Sequence, residues 1–285
     1  MTTSPEYIFR VLCKDARGIV ARFTQNVLQY GGNILDLEQH VEEDSGLFAM
    51  RMHFEKCSHL NDLKKEIISN PYEDFRYWMD DAKRNQRVAI LVTKEETCLY
   101  DLLIQQKMGE IQCEIPLIIS NRKDLEPVAK QFNVAFHHLP QGKEEKDRRD
   151  QEKKIENLLS KYQIDLVILA RYMRILSGDF VNPRVGSIIN IHHSFLPAFK
   201  GAQPYRQAFE RGVKIIGATA HYVSQDLDEG PIIHQATREV SHHYSVKELA
   251  RAGRELERHV LTQAVRAHLE YRVLLIGKRT IIFHI

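Results

Sequence analysis

The chain has 285 residues, more than one core usually takes at about 150 residues per domain, so two domains are expected. Apolar residues make up 43% and charged residues 27%, which excludes a disordered chain, and no apolar run approaches the ~20 residues of a membrane span. With 40 basic against 38 acidic residues the net charge is +2, a balance that offers nucleic acid no basic surface to hold.

The opening MTTSPEYIF has no basic stretch followed by an apolar one, so no export signal is read and a cytoplasmic location is expected. Cys13, Cys57, Cys98 and Cys113 form no C-x-x-C pair, and buried reduced thiols are their ordinary reading. YIFRVLCKD (Tyr7–Asp15) predicts a strand. Ile19, Val20, Phe23, Val27 and Leu28 then recur at helical spacing, with Gly31-Gly32 as the stop. NILDLEQHVEED and GLFAMRMHFEK predict two strands joined at Asp44-Ser45-Gly46, LNDLKKEIIS a short helix and FRYWMD a closing strand. That order, strand–helix–strand–strand–helix–strand, is a ferredoxin-like plan.

The polar stretch DDAKRNQ (Asp80–Gln86) is the linker candidate and sets domains of 1–84 and 85–285. RVAILV is too uniformly apolar to be half exposed and predicts a buried parallel strand. Helix and strand then alternate through TCLYDLLIQQKMG, EIPLIISN, DLEPVAKQF, VAFHHLP, the polar helix EEKDRRDQEKKIENLLSKY, IDLVILARY and GSIINIHH. Such alternation argues an α/β fold with a doubly wound, mostly parallel sheet. The polar helix mixes signs along its length, which marks a solvated face rather than a nucleic-acid patch. A helix over about Val246–Glu270 and a hairpin around Gly277-Lys278 close the chain.

Chemistry concentrates in INIHHSFLPAFKG (Ile189–Gly201). Neighbouring side chains on a strand point to opposite faces, so His192 and His193 do not share one metal ion. His137-His138 and His242-His243 have the same defect, there is no H-E-x-x-H, and no metal site is expected. Asn190 and His192, two apart, share a face at the carboxyl end of a buried strand, where open α/β sheets bind ligands. An amide and an imidazole aimed at one point suit polarisation of a carbonyl. His193 is expected on the packing side. Protons need a third group, and HYVSQDLDEGPII (His221–Ile233) offers Asp226, Asp228 and Glu229 in a turn after the apolar strand IIGATAHYV. Acidic turn residues are ordinarily turn formers, and it is their place after a strand of the same sheet that recommends them.

Together, Asn190-Ile191-His192, Ser194-Phe195-Leu196-Pro197, Lys200-Gly201 and Asp228-Glu229-Gly230-Pro231 resemble the folate-dependent formyltransferase family over about Arg87 to Ile285. The resemblance implies a catalytic trio of Asn190, His192 and Asp228, with His221 behind the aspartate. It also implies that LARYMRIL (Leu169–Leu176) lines a pterin pocket through Met173, Arg174, Ile175 and Leu176, with Asp226 alongside. The family's transformylases of phosphorylated acceptors carry a glycine- and serine-rich phosphate loop after the first strand. Here that position reads TKEETCL (Thr93–Leu99), without glycine and with two glutamates, which disfavours a phosphorylated acceptor and points to water. Cys98, in the same loop, is the one tempting nucleophile, but it has no recognisable histidine partner.

The first 80 or so residues, through DARGIVARFTQNVLQYGGNI, resemble an ACT domain, and the whole arrangement is similar to that of the formyltetrahydrofolate deformylases. That resemblance implies hydrolysis of 10-formyltetrahydrofolate to formate and tetrahydrofolate, supplying formate for purine synthesis and balancing the one-carbon folate pool. No cofactor besides the folate substrate is implied. The rival is transfer of the formyl group to an amine. For the ACT-like part, Asp15, Arg17, Gly18, Gly32 and Asn33 are the implied effector-binding residues, with glycine or methionine as effector. Exposed sheet edges favour pairing with another copy, so a homo-oligomer, dimer or higher, is expected.

Overall fold

The apolar run after Pro5 becomes strand β1 (Glu6–Lys14) in a computed structural model that describes residues 4–69, 72–140, 142, 144–197 and 204–284. Helix α1 (Ile19–Gln29), β2 (Asn33–Glu42), β3 (Leu47–Glu55), α2 (Leu60–Ile68) and β4 (Arg76–Asp81) follow. The strands form an antiparallel sheet of order β2-β3-β1-β4. Alternation decides which residues the helices cover: Phe9, Val11 and Cys13 of β1 are buried with Ile19, Phe23 and Val27 of α1 and Leu63 and Ile67 of α2.

The second part begins with β5 (Gln86–Val92), whose Val88–Val92 are all buried, as a parallel strand covered on both faces requires. Then come α3 (Thr97–Lys107), β6 (Cys113–Ser120), α4 (Glu126–Gln131), β7 (Ala135–His138), α5 (Glu145–Lys161) and β8 (Leu166–Leu169). A short α6 (Gly178–Val181) leads to β9 (Ile188–His192), α7 (Pro204–Glu210), β10 (Ile215–Tyr222), β11 (Ile232–Glu239) and the long α8 (Val246–Leu269). The seven-stranded sheet runs β11-β10-β9-β8-β5-β6-β7. Its five strands from β9 to β7 are parallel, while β10 is antiparallel to both β9 and β11. The mostly parallel expectation therefore needs an antiparallel edge added. Residues 223–231 between β10 and β11 are too few for the dozen or more that a parallel crossover takes.

The chain ends in β12 (Val273–Ile276) and β13 (Arg279–Ile282). Here the expected boundaries are corrected, because 85–285 is not one unit. One unit comprises Met1–Arg84 with Glu270–Ile276 and Ile281–Ile285, the other Asn85–Leu269 with Gly277–Thr280. The reason is on the second face of the first sheet. Leu12 and Ala49 point away from α1 and α2, and they are buried in a cluster with Leu274 and Phe283. A sheet apolar on both faces needs two covers, and the C-terminal strands supply the second. Among the described residues no helix is long and apolar enough to cross a membrane.

Candidate active site

The register of β9 against β10 builds the site. Asn190 lies opposite His221, and His192 lies opposite Thr219. Cross-strand neighbours on one face approach to about 5 Å, and here Asn190 Nδ2 comes within 3.3 Å of His221 Nε2. His221 Nδ1 donates to the Tyr222 carbonyl at 2.9 Å, since a carbonyl can only accept. Thr219 pins the chain beyond β9, donating to the Ser194 carbonyl at 3.0 Å and accepting from Leu196 N at 3.1 Å. A register shift between Ala220 and His221 bends β10 where it meets the turn carrying the aspartate.

That turn folds back through Asp228, whose backbone is left-handed at φ +55. Gly230 permits the closure, since a Cβ there would stand 1.7 Å from the Tyr222 carbonyl oxygen. Asp228 Oδ2 lies 3.3 Å from His192 Nδ1, and Oδ1 lies 3.7 Å from His221 Nε2. Burial alone would raise the Asp228 pKa. Hydrogen bonding from His192, the approach of His221 and the charge of both rings outweigh it and hold the carboxyl well below the usual range. The aspartate is therefore ionised, a point on which the sequence is silent. His192 Nε2, on the other side of the ring, is buried and has no hydrogen-bond partner among the described residues.

Asn190, His192, His221 and Asp228 open into a cavity of about 270 Å³. Met173, Arg174, Ile175, Leu176 and Asp226, assigned to folate by resemblance, all line it, as do Val223, Ser224, Gln225 and Leu227, which sequence reasoning missed. Those four lie in the turn after β10, and with no β11 read after it the turn had no defined exit. Met173, Ile175 and Leu227 are each more than half exposed, an apolar rim on a polar floor.

His193 does not turn to the packing side. Strand alternation ends at His192, and the two rings stack at 5.0 Å with the His193 ring in the same cavity wall. Burial, then the charges of Arg171 and His192, push its pKa down to about 3, so it is neutral. Lys200 and Gly201 of the sequence motif lie outside the described residues.

In TKEETCL, Thr93 is buried and its Oγ1 accepts from Met173 N at 3.1 Å, tying the loop to the cavity-lining segment. Glu95 Oε1 accepts from Thr97 N at 3.3 Å and from Thr97 Oγ1 at 2.7 Å, so a carboxylate of the chain caps the start of α3. Cys98 is buried, and desolvation followed by the charge of Glu257 push its thiol far above the usual range, which leaves no thiolate to attack.

The five implied effector residues do not meet within one copy. Asp15, Arg17 and Gly18 precede α1, while Gly32 and Asn33 follow it, and an 11-residue helix is about 16 Å long. Several have local tasks. Gly18 has φ +85, a Cβ on Gly32 would come within 2.6 Å of Val27 Cγ1, and Asn33 Nδ2 donates to Glu55 at 3.2 Å.

Residues 86–265 match the family model described as formyl transferase. A formyltetrahydrofolate deformylase from Synechocystis is 48% identical over 96% of both chains. The crystal structure of a formyltetrahydrofolate deformylase from Pseudomonas syringae superposes with a TM-score of 0.93 at 35% identity, covering 100% of this chain and 96% of that one. Glycinamide ribonucleotide transformylase 1 from Symbiobacterium toebii, at a TM-score of 0.65 and 33% identity, covers 70% of this chain and 95% of its own. The likeness to the transformylase thus stops short of the whole chain, whereas the likeness to the deformylases does not. The chain belongs to the formyltetrahydrofolate deformylase family.

Proposed function

We infer that the chain hydrolyses 10-formyltetrahydrofolate to formate and tetrahydrofolate, and that Asn190, His192 and Asp228 carry the reaction. The observation that supports these roles is the His192–Asp228 pair, 3.3 Å apart, in one cavity with Asn190. An exposed apolar rim of Met173, Ile175 and Leu227 suits a flat pterin, and Arg174, Leu176 and Asp226 are the further folate contacts.

Asp228, 3.3 Å from Nδ1, orients the His192 ring with Nε2 toward the substrate. Its Nε2–H then donates to the formyl oxygen, and the Asn190 amide donates a second bond as negative charge grows there. As His192 gives up its proton to that oxygen, the charge that depresses the Asp228 pKa disappears. The carboxylate becomes a stronger base at the moment the attacking water must lose a proton. The C–O bond to water forms, and Asp228 holds the water's proton. It then delivers that proton to the folate nitrogen as the C–N bond breaks, and the carbonyl reforms while His192 recovers its own proton. The formic acid product ionises to formate in the site. The route uses no metal, cofactor or covalent enzyme intermediate.

Water rather than a phosphorylated amine is the acceptor because Glu95 already supplies the negative charge that the N-terminus of α3 favours. A phosphate dianion would meet a carboxylate there. Formate release by the purified protein with no amine added is the direct test, and release only on adding an amine acceptor would reverse the assignment. Formate so released would feed purine synthesis and drain the formylfolate pool, in a cytoplasmic setting.

The strand–helix–strand–strand–helix–strand order supports an ACT-like reading of the first unit. An amino-acid effector such as glycine or methionine would then bind between copies, where the β1–α1 turn of one meets the α1–β2 turn of another. This gives the homo-oligomer its function. Titration calorimetry with either amino acid tests it, and no heat with both removes it.

A further inference from the structure

Arg171 is not used by the chemistry above, yet the fold goes to some trouble over it. It follows the end of β8 with φ +59, a left-handed backbone unfavourable to any residue with a Cβ. Strain of this kind persists where the surroundings hold it and clusters at working sites. The guanidinium is held by a buried carboxylate, with Nε 3.5 Å from Oε2 of Glu257, whose side chain is 1% exposed. Glu257 is fixed in turn by the Tyr205 hydroxyl, which donates to Oε1 at 2.6 Å.

Despite that anchor, Arg171 Nε and Nη1 are buried without a hydrogen-bond partner among the described residues. Arg171 lines the same cavity as Asn190, His192 and Asp228, and its charge acts on His193, whose ring stacks on His192. Buried donors left unmade are costly, and guanidinium donors are laid out to meet a planar carboxylate.

We propose that Arg171, held by Glu257 and Tyr205, is the binding site for the formate product, receiving the anion beside the catalytic pair. The proposal rests on the hydrolytic reading. It also answers an electrostatic problem, since formate is born next to an ionised Asp228 that repels it. A fixed cation on the adjoining wall stabilises the ionised product, keeps it from reprotonating and draws it away from His192.

The test uses sodium formate on the full-length protein, with chloride-matched controls for ionic strength. Transverse relaxation of [13C]formate reports binding without turnover, and initial rates of tetrahydrofolate formation report product inhibition. An anion of three heavy atoms binds at about millimolar Kd at the tightest, which sets the range to titrate. Arg171→Gly suits the left-handed backbone, and Glu257→Gln is combined with it so that no buried carboxylate is left unpaired.

The expected result is relaxation of [13C]formate by wild type and inhibition by formate weakened about tenfold or more in the double variant, with the folate KM moving much less. Acetate, with a methyl group to seat, should inhibit less than formate. No formate binding to wild type, or equal inhibition of wild type and variant, overturns the proposal. So does a KM for folate that rises in step while formate inhibition holds, because Arg171 would then serve the carboxylates of the folate tail. If the hydrolytic reading itself is wrong, wild type releases no formate in the uninhibited control, whatever the relaxation measurement shows.

Discussion

Asn190 and His221 face each other across two antiparallel strands, amide nitrogen to ring nitrogen at 3.3 Å, and the ring's other nitrogen is committed to the Tyr222 carbonyl. That pairing orients the amide. With Nδ1 turned to the Tyr222 carbonyl, Nε2 is the ring atom that meets the Asn190 amide, and the contact fixes which way the NH₂ group points. One N–H is spent there and the other stays available to the cavity.

His221→Ala should therefore lower kcat by misplacing Asn190 and loosening Asp228, by about 100-fold if the donor shifts by about 1 Å. The folate KM should change far less. Steady-state kinetics with 10-formyltetrahydrofolate separates the two, and a pure KM effect would show that His221 serves binding alone.

Asp228→Asn and Asn190→Ala should each cost about 100- to 1000-fold in kcat with the fold retained. Circular dichroism checks the fold and formate release the rate. Near wild-type turnover of Asp228→Asn would remove the aspartate from the mechanism.

Acid stability carries a definite sign. The folded pKa of Asp228 lies below its ordinary 3.8, so between the two values the unfolded chain binds the extra proton. The aspartate's contribution to stability is complete above pH 3.8 and is lost as pH falls through the folded value. Asp228→Asn should flatten the acid limb of the stability curve, read from denaturant midpoints at successive pH values. An acid limb as steep as in wild type would place the origin of acid sensitivity elsewhere.

Gly230→Ala should disturb the Asp228 turn, because its Cβ would fall 1.7 Å from the Tyr222 carbonyl oxygen. Overpacking of this kind costs about 1–3 kcal/mol, and here the displaced backbone is the one that carries the aspartate. The variant should lose activity at temperatures where it is still folded, measurable as a fall in kcat well below its Tm.

Phe283→Ala should destabilise the N-terminal unit rather than the catalytic one, since Phe283 is buried with Leu12, Ala49 and Leu274. A buried Phe→Ala change costs about 3–5 kcal/mol. Hydrogen exchange resolved by segment should show β1 and β3 opening first. Opening first in β5 or β8 would contradict the assignment of the C-terminal strands.

Much of this was legible in the residues. The buried parallel strands declare themselves by uniform apolar runs such as RVAILV, and the βαββαβ order by alternation and glycine stops. The two-residue spacing of Asn190 and His192 is enough to place them on one strand face. Three things were not legible. His193 escaped because alternation holds only inside a strand, and β9 stops one residue earlier. The cover on Leu12 escaped because sequence distance hides a partner as remote as Phe283. The ionised state of Asp228 escaped because it depends on two rings from two different strands converging on one carboxyl.

Glu95 has a consequence beyond repelling phosphate. It is a ligand on a tether, attached two residues from the amide it binds, so its effective concentration at the head of α3 does not depend on what the surrounding solution contains. Free phosphate competes with it only by displacing a group that cannot diffuse away. Restoring glycines to TKEETCL would leave the incumbent seated, and turning this hydrolase toward a phosphorylated amine would first require the tethered anion to be removed.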